Sequence, residues 1–97
     1  MVVEHAVLTV RAGEADAFAA AMCEARPLIA TSPGFHSIEV RASTEQPERY
    51  LLRVIWSDIA AHRDGFRKSG RYERWRELLH RFYDPMPRVE YFGESIV

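Results

Sequence analysis

Short β-branched runs alternate along this chain with two stretches of helical periodicity. Val2 to Val10 has strand length and composition. Val3, His5, Val7 and Thr9 fall on one face, and Val2, Glu4, Ala6, Leu8 and Val10 on the other. Both faces are largely apolar, so both are expected to be covered. From Glu14 to about Ala30, Phe18, Met22, Ala25 and Ile29 recur at helical spacing, with alanines filling much of the remainder. Glu14 and Asp16 suit the positive end of that helix. Pro27 should kink or end it locally, and Ser32-Pro33-Gly34 breaks the chain.

Phe35 to Arg41 alternates as a second strand, and Ser43 to Glu48, with Pro47, reads as a loop. Arg49 to Trp56 is a third strand: Tyr50, Leu52, Val54 and Trp56 share one face, Leu51, Arg53 and Ile55 the other. The short loop between these strands predicts an antiparallel hairpin. Ser57 is the expected N-cap of a short helix to about Lys68, with Asp58 in its first turn. Gly70 separates it from a longer helix, Arg71 to about Tyr83, striped by Tyr72, Trp75, Leu79 and Phe82. Asp84-Pro85-Met86-Pro87 stops that helix, and Arg88 to Phe92 is a last strand.

The order is β-α-β-β-α-β with the second helical unit split. It predicts a ferredoxin-like α+β fold, with a four-stranded antiparallel sheet carrying helices on one face. Val3, Val7, Leu51 and Ile55 then lie on the other face. Stacking two sheets across a two-fold axis would cover them, so a homodimer is expected.

The 97 residues are expected to form one domain, 1–97, with 47% hydrophobic residues enough for a core. A net charge of −1 lacks the basic excess that nucleic acid requires. The basic residues are twelve arginines and Lys68 alone. A single cysteine, Cys23, excludes an internal disulfide, fits a reducing compartment and is expected to be buried and inert. No apolar run approaches the ~20 residues needed to cross a membrane, and no export signal is visible. A cytoplasmic location is the expectation.

The segment Val54 to Tyr72 concentrates the candidate chemistry. His62 and Arg67 share the short helix, and Trp56, Phe66, Tyr72 and Trp75 surround it with rings. Such a set can converge on a small, mostly apolar ligand pocket. An imidazole accepts a proton near neutral pH, a guanidinium stabilises an oxyanion, and aromatic walls stack on a flat ligand. Each residue also has an ordinary structural reading, as helix surface or core. Glu4 and Glu39 are possible neighbours of His62. Arg53, mid-strand, suits an ion pair at the interface. His5 and His36 are expected to be structural, and His80 exposed near a helix end. No G-x-G-x-x-G, Walker loop or Cys/His metal spacing is present.

Several motifs together resemble the antibiotic biosynthesis monooxygenase (ABM) domain family of dimeric α+β-barrel proteins. They are Ser32-Pro33-Gly34-Phe35, Val54-Ile55-Trp56-Ser57, the run Ala61 to Ser69, Tyr72 with Trp75, and Arg88-Val89-Glu90-Tyr91-Phe92. The resemblance implies a homodimer with a pocket between sheet and helices in each subunit. Several members oxidise polycyclic phenols or quinols with O2 and neither metal nor flavin; others degrade haem. In the haem-degrading branch an asparagine, a tryptophan and a histidine ligand occupy positions that correspond here to Ala6, Phe66 and Arg76, all departures from that pattern. The leading expectation is therefore a cofactor-independent monooxygenase acting on an aromatic or quinone-like small molecule. In it, His62 and Arg67 are catalytic, and Trp56, Phe66, Tyr72 and Trp75 bind substrate. The alternative is a non-catalytic small-molecule binder on the same scaffold, with haem degradation ranked third.

Overall fold

The central strand β1 (Val2–Thr9) pairs antiparallel with β3 (Arg49–Trp56) on one side and β4 (Glu90–Phe92) on the other. The hairpin partner of β3 is β2 (Phe35–Ala42), so the four-stranded sheet runs β2-β3-β1-β4. This computed structural model describes residues 1–97. Helix α1 (Ala15–Ala30) follows β1; a π-helical turn, Ala61–Phe66, precedes helix α2 (Gly70–Leu79), and a 3-10 turn, His80–Phe82, follows it, completing a ferredoxin-like α+β arrangement.

The core lies between the sheet and the helices. Ala6, Leu8, Val10, Val54 and Trp56 from the strands meet Phe18, Ala25, Ile29 and Leu79 from the helices. Each large side chain removed from water there contributes roughly 1.5–3 kcal/mol. The opposite face has no cover from this chain, and Val3, Val7, Leu51 and Ile55 remain half-buried. There Glu39 lies against Arg41 at 2.6 Å and Arg53 at 3.6 Å.

Four local features differ from the sequence expectations. Pro27 neither ends nor interrupts α1, which continues to Ala30. Pro27 is exposed in the last turn, where the missing N–H orphans one carbonyl that water can reach. Cys23 is exposed rather than buried, because it falls off the apolar stripe of α1. Asp58, not Ser57, caps the short helical unit, its Oδ1 accepting from the Ala61 N–H at 2.8 Å. Ser57 Oγ is occupied instead by His36 Nε2 at 2.8 Å. The last strand begins at Glu90 rather than Arg88 and pairs only with Val3, Glu4 and His5.

Gly34 positions the π turn. Its φ is +86°, and a Cβ there would lie 2.6 Å from Ala61 Cβ. Only glycine permits both that conformation and that approach. The π turn that carries His62 can thus pack directly against the chain entering β2.

Candidate active site

Glu4 breaks an otherwise apolar inward face. It stands opposite Val54 of β3 and Tyr91 of β4 in the sheet register. Directly opposed residues share a face, so Glu4 and Tyr91 rise side by side beneath the π turn. His62 descends between them, with Nδ1 2.6 Å from Tyr91 Oη and Nε2 3.4 Å from Glu4 Oε1. The same Glu4 oxygen accepts the Trp56 indole N–H at 2.9 Å. Glu4 and His62 are each 4% exposed, and Tyr91 is half-buried.

The π closure sets what faces the ligand space. The Arg67 N–H donates to the His62 carbonyl at 2.9 Å, a five-residue step. In an α-helix residues five apart diverge by about 140°; the wider turn brings them to one side. His62, Phe66 and Arg67 consequently all border a cavity of about 320 Å³ between sheet and helices. Ala6, Leu8 and Leu52 lie on its sheet side, and Trp75, His80 and Tyr83 on the side of α2. Ten of its 15 bordering residues are hydrophobic, and Glu4, His62, Arg67 and His80 supply polar groups. The exposed side chains of Arg67, Met86 and Val89 mark its open side.

Burial governs the ionisation of this site. It raises Glu4 from 4.5 to about 7, against the opposing pull of the Trp56 hydrogen bond and the Arg67 charge. It lowers His62 from 6.5 to about 4, with Arg67 adding to the effect. His80 is lowered by burial first, then by Arg76 and Arg67. The Tyr83 and Tyr91 hydroxyls are both raised, chiefly by burial. Glu4 and His62 are close enough for an ion pair, yet the enclosed setting disfavours both charges. Burial thus favours the neutral pair, a protonated Glu4 beside an uncharged His62, over the ion pair.

His62, Phe66, Arg67, Tyr72 and Trp75 all border the cavity, and the Arg67 guanidinium sits 5.6 Å from the Tyr72 ring centre. Trp56 does not. It is fully buried behind Glu4, with its ring 5.4 Å from His62 and 6.1 Å from Phe66. The expectation that Trp56 contacts a ligand is corrected: its indole holds the carboxylate that does border the cavity. His80 is also relocated, from an exposed helix end to the cavity wall against Tyr72 and Tyr83. Of the two glutamates considered beside His62, Glu4 is the neighbour and Glu39 lies on the opposite face. Tyr91 enters the sequence reading only within the closing strand motif Arg88 to Phe92, with no role in the site. The inward-facing charge of Glu4 was the available signal; nothing local distinguished Tyr91.

Comparisons with known proteins agree with this architecture. Residues 1–78 match the family model for antibiotic biosynthesis monooxygenase. An uncharacterised Bacillus subtilis (strain 168) protein, YczJ, is 39% identical over 94 residues, covering 97% of this chain and 99% of that protein. The crystal structure of a candidate antibiotic biosynthesis monooxygenase from Bordetella bronchiseptica superposes with a TM-score of 0.92 at 30% identity, covering 98% of this chain and 97% of that one. SnoaB, a cofactor-independent oxygenase from Streptomyces nogalater, shares the fold alone. Its TM-score is 0.85 at 17% identity, covering 99% of this chain and 94% of SnoaB. With most of the chain matched by the family model and nearly all of it by these relatives, the protein belongs to the antibiotic biosynthesis monooxygenase family.

Proposed function

We propose that this protein is a cofactor-independent monooxygenase that oxidises a small phenol or quinol with O2 in the cavity between sheet and helices. The observation that carries the reading is the convergence of Glu4, His62 and Arg67 on one cavity of about 320 Å³ bordered mainly by hydrophobic residues. Phenols react slowly with ground-state O2, and removing the hydroxyl proton makes them far better electron donors. The Glu4–His62 pair accepts that proton once Glu4 has ionised, and Arg67 stabilises the resulting oxyanion. Phe66, Tyr72 and Trp75 stack on the ring, each good pair adding roughly 0.5–1.5 kcal/mol. The electron-rich C–H carbon para to the oxyanion, or ortho to it where a quinol already carries oxygen at the para carbon, then bonds one oxygen atom of O2, and the other oxygen takes a proton to give a hydroperoxide. Loss of water from the hydroperoxide leaves a quinone, so one atom of O2 enters the product and the other leaves as water. Enclosure protects the intermediate.

Two copies of the chain pair through the uncovered sheet face. Val3, Val7, Leu51 and Ile55 are half-buried there, and a second copy removes them from water. The expected mass in sedimentation is twice 11.2 kDa.

The test is O2 consumption by purified protein with a panel of hydroquinones under air. Wild type should exceed the uncatalysed rate, and His62→Ala and Arg67→Ala should each fall by about 10²-fold or more. Uptake equal to background in all three proteins would remove the reading. A binding role is the second reading, favoured by one observation: His62, lowered to about 4, is a weak base by itself. Ligand-induced thermal stabilisation without O2 uptake would select it.

A further inference from the structure

Tyr91 is the part of the Glu4–His62 cluster that the proposed chemistry leaves unused. It stands beside Glu4 in the sheet register, does not border the cavity, and reaches the half-buried edge at β4. Its hydroxyl is 2.6 Å from His62 Nδ1, while the other ring nitrogen faces Glu4. The imidazole therefore spans from a carboxyl group on the cavity to a phenol at the surface. We propose that Tyr91 is the outlet of a proton relay, through which a proton delivered to Glu4 leaves by way of His62 to solvent.

Each transfer is balanced. The Glu4 carboxyl proton passes to His62 Nε2, the Nδ1 proton passes to Tyr91 Oη, and the Tyr91 hydroxyl proton passes to water. Glu4 ends ionised, and His62 ends neutral as the Nε2–H tautomer. Before the step Nδ1–H donates to Tyr91; afterwards Nε2–H donates to Glu4 and Tyr91 O–H donates to Nδ1. No charged imidazole need accumulate in the enclosed site. Trp56, whose indole N–H holds Glu4 Oε1, is a positioning residue for the inner end. The other groups acting on the cluster are Arg67 on Glu4, His62 and Tyr91, Tyr83 near Glu4, and Arg63 and Asp64 near Tyr91. Asp64 is itself held by Lys68 at 3.3 Å.

This inference rests on the cavity being the reactive site, but its test does not need turnover. The full-length protein is labelled with 15N-histidine, and the His62 ring nitrogens are followed from pH 5.5 to 8.5, with their proton exchange with water. Wild type should change from the Nδ1–H to the Nε2–H tautomer as Glu4 ionises, and Glu4→Gln should abolish that change. Tyr91→Phe, which keeps the ring, should slow exchange of the His62 ring proton by about tenfold or more. Where a reactive quinol is found, Tyr91→Phe should lower kcat with KM unchanged, and high concentrations of a small buffer base should restore it. Unchanged or faster exchange in Tyr91→Phe, or a wild-type ring that keeps one tautomer across this range, would overturn the relay. Absence of O2 uptake by wild type would remove the monooxygenase reading while leaving the exchange result to decide the relay.

Discussion

Two glutamates on the same sheet end in opposite electrostatic states. Glu4 of β1 faces the helices, 4% exposed, and burial raises it to about 7. Glu39 of β2 faces the uncovered side, where the Arg41 hydrogen bond and charge, with Arg53, hold its carboxyl below the usual range. Both side chains come from strands and both have neighbours that favour their charge. Only Glu4 lacks water. Desolvation in the enclosed face exceeds what one indole N–H and one nearby guanidinium restore. The comparison teaches that the inward face makes reactive chemistry from a side chain that the outward face keeps as an ordinary surface ion.

The most severe way to break the contrast is to lift the roof. Gly34→Ala would force a Cβ to within 2.6 Å of Ala61 Cβ at φ +86°. It should lower stability by about 3–4 kcal/mol in urea denaturation, and it should return Glu4 toward the ordinary carboxylate range as water enters. A midpoint equal to wild type would show that the π turn does not depend on this contact.

Next in size is the effect of pH on stability. The folded state keeps the Glu4 proton that the unfolded chain has lost, so this group's contribution is full below pH 4.5. It disappears as pH rises through about 7. His62 has the opposite sign: its contribution is full above 6.5 and disappears as pH falls through about 4. The two slopes offset each other between pH 4.5 and 6.5. Glu4→Gln should therefore be more stable than wild type by about 3 kcal/mol at pH 8 relative to pH 5. It should also expose the uncompensated His62 slope. Parallel pH profiles for the two proteins would contradict an uncharged Glu4.

A smaller perturbation sharpens the cause. Trp56→Phe keeps a buried ring but removes the N–H that Glu4 accepts. It should cost about 1–2 kcal/mol and push Glu4 above its present value of about 7, read from its carboxyl 13C shift. A fall in that value would mean that added hydration outweighs the lost hydrogen bond. The smallest effect is expected on the outward side: Glu39→Gln should leave the denaturation midpoint equal to wild type in high salt, where exposed charges are screened. A change as large as that of Glu4→Gln would erase the distinction between the faces.

The fold was largely legible because periodicity is a local property. The strand Arg49–Trp56 agrees with its alternation at both ends, and Phe18, Met22, Ala25 and Ile29 are the buried stripe of α1 together with Ala21. The candidate cavity was legible through its residue types on one short segment: His62, Phe66, Arg67, Tyr72 and Trp75 do meet there. Trp56 was misplaced because a strand position specifies a face but not the depth. Glu4 and Tyr91 are 87 positions apart in sequence and adjacent only through β1–β4 pairing. Proximity of that kind has no local pattern.

Sequence by itself determined the strand and helix order, the inward stripes and the bare second sheet face, since these follow from side-chain period and chain connectivity. Tertiary structure decided which ionisable groups lose water and which touch. The π closure that aligns His62 with Arg67, the indole behind Glu4 and the tyrosine beside it all depend on contacts between distant elements. Ionisation follows the surroundings of a side chain in space, and the order of residues along the chain does not specify those surroundings one by one.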